Sequence, residues 1–306
     1  MNTAWIFPGQ ASQKIGMGYD FYNNSKIGKS YFDKANKIMD CDIQSIIFNG
    51  PQETLKQTQY TQPAIYIVSV IIGKLLLKKG IKPSVLAGHS LGEYSALTIG
   101  GAFDFETGLK LVKVRSENMS LASQLKAGTM AAIIGLDEKI IVDLCNNYAD
   151  KGTVVTANFN SPDQIVISGT HEAVISIMSQ CKNIGARMVK ELNVSGAFHS
   201  PLMKPAREAL ALELNSIQIL DSNYPVYSNV SAQPNTSGIK IKELLISQLE
   251  NPVLWSQTIS TMYDQGINAY IEVGPGKILQ GLNKRINRKL TISGIESFNQ
   301  LNTFSV

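Results

Sequence analysis

The chain has 306 residues, 44% of them hydrophobic and 17% charged, a balance that excludes intrinsic disorder and supplies enough apolar surface for a large buried core. Its length exceeds one average domain and falls short of three, which predicts a large domain with a smaller one attached. Twenty-eight Lys and Arg against 24 Asp and Glu leave a net charge of +4, suited to an anionic substrate or an acidic partner and too modest to indicate nucleic acid.

The first residues, Met1-Asn2-Thr3-Ala4-Trp5, carry no basic n-region, and the longest apolar run, residues 64–73, is short for a membrane span. The expectation is a cytoplasmic protein with no membrane partner. Residues 4–7 read as a short buried strand stopped by Pro8-Gly9, with the polar loop Gln10-Ala11-Ser12-Gln13 at its C-terminal end, a usual site location. Residues 60–77 have the length and apolar density of a buried helix, which Gly80 and Pro83 separate from the next strand.

That strand, Val85-Leu86-Ala87, runs into Gly88-His89-Ser90-Leu91-Gly92, and a helix follows from Glu93. The G-x-S-x-G pattern between strand and helix is that of a nucleophile elbow, whose sharp turn exposes the serine hydroxyl and frees the next backbone N–H to face an oxyanion. Residues 105–119 form an amphipathic helix with Phe105, Leu109, Val112, Ser116 and Met119 on one face, and Glu106/Lys110 and Lys113/Glu117 as i,i+4 pairs on the other side. Arg115 lies at the edge of the apolar face beside Met119. A guanidinium buried there needs a partner and a carboxylate matches its fork, although a snorkelling arginine fits the pattern equally well.

Around Gly128 the texture changes to short units. Strands are expected at 130–134, 154–157, 164–167 and 187–194, with helices at 137–148 and 172–185, the βαββαβ order of a ferredoxin-like domain. The fold expected is therefore α/β: a large α/β-hydrolase-like domain with a parallel sheet core, residues 1–126 and 197–306, and a small inserted ferredoxin-like α+β domain, residues 127–196. In the second part of the large domain, 225–228 and 269–273 read as strands, and Gly274-Pro275-Gly276 as the turn into a final helix. The basic cluster Lys284-Arg285-Ile286-Asn287-Arg288-Lys289 reads as a solvated helix end. Cys41, Cys145 and Cys181 form no C-x-x-C pair and are odd in number, so reduced thiols and no zinc site are expected.

A serine nucleophile needs a base, and the chain has three histidines. His89 sits within the elbow, where neighbouring side chains diverge, and reads as support for the turn. His171 follows Thr170, a candidate cap, at the start of a helix in the small domain. His199 lies in Val194-Ser195-Gly196-Ala197-Phe198-His199-Ser200-Pro201, a strand-to-helix loop with Ser200 as N-cap and Pro201 at the first helical position, and is the best remaining base. Asp104, Asp137 and Asp163 all have cap or surface readings, so a Ser/His dyad with the imidazole held by a backbone carbonyl fits better than a triad.

Together these residues resemble the malonyl-CoA:acyl-carrier-protein transacylases and the related acyltransferases of polyketide synthases (PKS). The resemblance runs from about residue 4 to 288 through Phe7-Pro8-Gly9-Gln10-Ala11-Ser12-Gln13, Thr61-Gln62-Pro63-Ala64, Gly88-His89-Ser90-Leu91-Gly92-Glu93, Asn158-Phe159-Asn160-Ser161-Pro162, Gly196-Ala197-Phe198-His199-Ser200 and Glu272-Val273-Gly274-Pro275-Gly276. It implies Ser90 as the nucleophile that takes malonyl from coenzyme A, His199 as the base, the N–H groups of Gln10 and Leu91 as the oxyanion hole, and Arg115 as the ligand of the free malonyl carboxylate. It also implies Gln248 as the carbonyl that orients the histidine, and a phosphopantetheinylated carrier protein as acceptor, with no metal or redox cofactor bound. Many members have glycine where Ala11 stands. Phe198 stands where malonyl-specific polyketide acyltransferases carry phenylalanine and fatty-acid enzymes commonly carry serine, so Phe198 and Met119 are expected in the acyl pocket. Phe103-Asp104-Phe105-Glu106-Thr107-Gly108-Leu109 and Leu192-Asn193-Val194-Ser195 resemble the freestanding acyltransferases that load such synthases in trans. The expectation is thus a monomeric malonyltransferase supplying a polyketide synthase, with a fatty-acid transacylase or a proofreading acyl hydrolase as alternatives, and a carrier-docking module without catalysis as the remotest.

Overall fold

The computed structural model describes residues 2–304 and contains two sheets. The larger has six strands in the order β10-β9-β1-β2-β7-β8, where β1 is Thr3–Phe7, β2 Val85–Gly88, β7 Val226–Tyr227, β8 Pro234–Asn235, β9 Ala269–Val273 and β10 Thr291–Ile295. All neighbours pair parallel except β7 with β8. Parallel strands covered on both faces are apolar throughout, and β1 and β2 are buried at every residue. Period-2 alternation splits β1: Trp5 and Phe7 join the main core, while Ala4 and Ile6 pack on the opposite face with Trp255 and Ile259.

The helix Thr58–Lys78 lies in that main core and is 21 residues long, covering the expected 60–77 and extending it slightly at each end. By length and composition it is apolar enough to cross a membrane, but 83% of that window is buried inside the fold, which accounts for its character. Pro63 removes one backbone donor in its second turn, and Ser116 Oγ of the facing helix Phe105–Leu125 lies 3.5 Å from the freed Gln59 carbonyl. Asp104 caps that facing helix by accepting from Thr107 N at 2.8 Å. Its i,i+4 pairs give way to tertiary partners from the helix Lys26–Met39 and its cap: Glu106 pairs with Lys34 at 2.5 Å and Lys113 with Asp40 at 2.6 Å.

The second sheet has the order β4-β5-β3-β6, all antiparallel, with β3 Gly128–Ile134, β4 Val154–Ser161, β5 Gln164–Thr170 and β6 Met188–Glu191. With the helices Glu138–Asn146 and His171–Asn183 it makes the ferredoxin-like arrangement. Strand β6 stops at Glu191, short of the expected 194, because Leu192 to Val194 peel away to line the cavity described below. Thr170 precedes the second helix without capping it; its Oγ1 accepts from Thr153 N instead. The helix after the Gly274–Gly276 turn, Ile278–Ile286, is not the last, since β10 and the helix Phe298–Thr303 follow. Its basic end is exposed, as expected of a solvated helix end.

Candidate active site

The C-terminal ends of β1 and β2, adjacent in the centre of the large sheet, open into a cavity of about 490 Å³. Its walls come from both sheets: Gln10, Ser90 and Leu91 from the large one, Met130, Asn160 and Val166 from the small one. Among the described residues no group of three His, Cys, Asp or Glu side chains gathers as a metal site.

The elbow is set by steric necessity at its glycines. A Cβ on Gly88 would fall 1.8 Å from the carbonyl carbon of Gly92, and one on Gly92 would fall 2.1 Å from Phe7 O. Between them Ser90 holds φ of +51°, a left-handed conformation that costs an L-residue about 1–2 kcal/mol. Asn229, fully buried just after β7, offsets that cost by clamping the turn: Ser90 N donates to Asn229 Oδ1 at 2.6 Å, and Asn229 Nδ2 donates to Gly88 O at 2.6 Å. No motif in the sequence signalled Asn229; its only hint was a polar residue at the end of a parallel strand.

His199 reaches the same point from a distant loop, itself at φ +55°. Its Nε2 lies 2.8 Å from Ser90 Oγ. Nδ1 lies 3.0 Å from Gln248 O and 3.1 Å from Asn251 O, two acceptors that demand a proton on Nδ1 and leave Nε2 as the acceptor for the hydroxyl. Burial, with the Arg115 charge nearby, pushes the imidazole down to about 3, so it is neutral at physiological pH. His89 points elsewhere, its Nε2 2.8 Å from Asn160 Oδ1 and its ring against Trp255. His171 is exposed at the helix start, 3.8 Å from Glu191.

Arg115 is fully buried, not snorkelling. Its NH1 donates to Gln62 Oε1 at 2.5 Å, and its NH2 to Ser90 Oγ and Gln248 Oε1, both at 3.0 Å. Nε has no acceptor among the described residues, and Tyr94 lies with its ring centroid 5.5 Å from the guanidinium carbon. Every acceptor on this cation is therefore neutral. A desolvated guanidinium held only by amides and a hydroxyl has its charge uncompensated at contact distance, which favours an anionic ligand beside Ser90. Met119 and Phe198 line the same cavity, both buried, with Gln62 Nε2 3.3 Å from Met119 Sδ.

The N–H groups of Gln10 and Leu91 border the cavity and have no hydrogen-bond acceptor among the described residues. Next to Gln10, Ala11 sits at φ +84°, where glycine is at ease and alanine is strained. Ala11→Gly is expected to stabilise the fold by about 1 kcal/mol, read as a raised Tm; an unchanged or lowered Tm would mean that the strain is absorbed elsewhere in the loop.

The whole architecture matches known proteins. Residues 4–297 match the model of the acyl transferase domain family. The chain is 42% identical over 288 residues to the malonyl CoA-acyl carrier protein transacylase of Bacillus subtilis, covering 94% of this chain and 91% of that one. The solved malonyl CoA-acyl carrier protein transacylase of Coxiella burnetii superposes with a TM-score of 0.95 at 40% identity, covering 99% of this chain and 96% of that one. A malonyl-transacylase solved in complex with its type II PKS acyl-carrier protein superposes equally well, at 0.95 and 38% identity over 99% and 98% of the two chains. Likeness of this degree over nearly the entire length settles the family, and the chain belongs to the acyl transferases, in their group of malonyl CoA-acyl carrier protein transacylases.

Proposed function

We propose that this acyltransferase carries malonyl from malonyl-CoA to the phosphopantetheine thiol of an acyl carrier protein through an ester on Ser90. In the first half-reaction His199 Nε2 takes the hydroxyl proton as Ser90 Oγ attacks the thioester carbonyl. The N–H groups of Gln10 and Leu91 stabilise the oxyanion, a contact whose loss typically costs about 2.7–4 kcal/mol. Collapse breaks the C–S bond, and the imidazolium returns its proton to the coenzyme A sulfur. The second half-reaction runs these steps backwards with the carrier thiol as nucleophile, giving ping-pong kinetics.

The observation that carries this reading is Arg115, a buried cation 3.0 Å from the nucleophile with only neutral acceptors. A malonyl group has a carboxylate to give it, whereas a hydrolase pocket for neutral acyl chains would incur the desolvation without return. Phe198 beside His199 narrows the cavity against an α-methyl branch, and one such contact discriminates by about 1–3 kcal/mol. Intact mass after brief exposure to malonyl-CoA, methylmalonyl-CoA and acetyl-CoA tests the reading. The expected result is a malonyl adduct on Ser90 that transfers to added carrier protein; carrier thioesters cleaved to free acid instead would replace the transferase with a hydrolase.

For the pathway, Phe198 and the trans-acting resemblance support supply of a polyketide synthase. About 40% identity over nearly the full length to general malonyl CoA-acyl carrier protein transacylases supports the fatty-acid reading. Parallel transfer to a polyketide and a fatty-acid carrier protein separates the two by kcat/KM. We place the enzyme in the cytoplasm as a monomer that needs no bound cofactor.

The neutral state of His199 has a pH signature. Its protonated form is inactive and, with the group pushed down to about 3, accumulates only far below the usual 6.5. Acylation of Ser90 by a neutral ester such as p-nitrophenyl acetate, which makes no demand on Arg115, is expected to show no limb near 6.5 and to fall only as pH drops towards about 3. A limb near 6.5 would show an imidazole as basic as in water.

A further inference from the structure

Glu93, the second residue of the helix Gly92–Gly100, is buried behind the elbow and does not line the cavity. Its Oε2 accepts from Gln248 Nε2 at 2.7 Å and from Asn229 N at 3.1 Å. Gln248 Nε2 also donates to Ser90 O at 3.1 Å, and Gln248 Oε1 accepts from Arg115 NH2 at 3.0 Å. An amide has one donor end and one acceptor end. With two acceptors, Glu93 and Ser90 O, on one side, the Gln248 nitrogen must face them and its oxygen must face Arg115.

We infer that Glu93 is a positioning residue that locks the Gln248 amide so that it presents a neutral carbonyl to Arg115, keeping the guanidinium fixed and its charge free for a carboxylate-bearing acyl group. Two features make the arrangement specific. First, the carboxylate stands one amide removed from Arg115: it lends long-range compensation to the buried cation, yet leaves the contact positions to neutral acceptors. A carboxylate in direct contact would pair with Arg115 bidentately and compete with the substrate. Secondly, the Gln248 side chain and main chain serve different partners. Its side chain holds Arg115, while its carbonyl holds His199 Nδ1 at 3.0 Å. Loosening the amide thus weakens carboxylate recognition while the backbone support of the base, shared with Asn251 O, persists.

The inference rests on the malonyl reading of Arg115, and the test separates the two. Glu93→Met keeps the length and removes both carboxylate oxygens, and burial already raises this carboxyl to about 7, so a neutral side chain is expected to fold. With no strong acceptor left at this position, the Gln248 nitrogen loses its stronger partner and the constraint on the amide is removed. Malonyl transfer to carrier protein is expected to fall about 10- to 100-fold in kcat/KM, mainly through a raised KM for malonyl-CoA, while acylation by p-nitrophenyl acetate falls less than threefold. Glu93→Asp retains the charge but withdraws it from Gln248, and is expected to give the same split should the methionine variant fail to fold. Gln248→Glu, which places a carboxylate directly on Arg115, is expected to raise the malonyl-CoA KM further. Equal losses in both assays would overturn the inference in favour of general damage to the elbow, and no loss in either would overturn it outright. If Arg115→Ala also left malonyl transfer intact, the malonyl reading itself would have failed first.

Discussion

Arg115→Ala is expected to lower kcat/KM for malonyl transfer by about 10²- to 10³-fold, the cost of removing one partner from a desolvated, charge-assisted contact of about 3–4 kcal/mol. The loss falls on malonyl-CoA and not on acetyl-CoA, because only the former brings a carboxylate. Acetyl loading of Ser90 is expected to hold or rise, since a neutral acyl group no longer has to leave a buried guanidinium desolvated without a counter-charge. The ratio of malonyl to acetyl adduct by intact mass is the readout, and a ratio that survives the substitution would remove Arg115 from substrate recognition. Arg115→Lys is expected to rescue little, because a point charge on a shorter reach cannot span Gln62, Ser90 and Gln248 as the planar fork does.

Ser90→Ala carries the larger effect. Removing the nucleophile from a concerted pair abolishes the covalent step, and losses on the order of 10⁶-fold in kcat are typical when such a unit is broken. No malonyl adduct is expected, and no transfer to carrier protein above the uncatalysed rate. His199→Ala is expected to be nearly as severe and not additive with Ser90→Ala, as the two share one proton at 2.8 Å. A persistent adduct in Ser90→Ala would place the nucleophile elsewhere, and unaltered pathway output in cells carrying it would revive the docking-module reading.

Much of the scaffold was legible because local rules sufficed. The buried strand at Ala4 to Phe7, the Asp104 cap and the βαββαβ order each follow from short-range chemistry. Errors arose where partners came from far away. Glu106 and Lys113 prefer Lys34 and Asp40 to their helix neighbours, because packing of the helix Lys26–Met39 brings those charges close with better geometry. The strand β10 was missed because Thr291-Ile292-Ser293-Gly294-Ile295 has little apolar patterning of its own and is held by pairing with β9.

The candidate site divides in the same way. The sequence by itself determined the elbow: Gly88 and Gly92 are demanded by contacts of their own turn and of β1, and the serine between them sits at φ +51°. It also singled out His199 as the candidate base, by elimination among three histidines, and the fold sets its Nε2 2.8 Å from Ser90 Oγ. Only the tertiary structure decided that Arg115 is buried with neutral acceptors, that two carbonyls and not one hold the imidazole, and that Asn229 holds Ser90, and Glu93 the Gln248 amide, across 139 and 155 residues of chain. The reason is physical: strain in a tight turn is written in neighbouring residues, whereas the compensation of a buried charge depends on whichever distant groups the packed core brings within hydrogen-bonding reach.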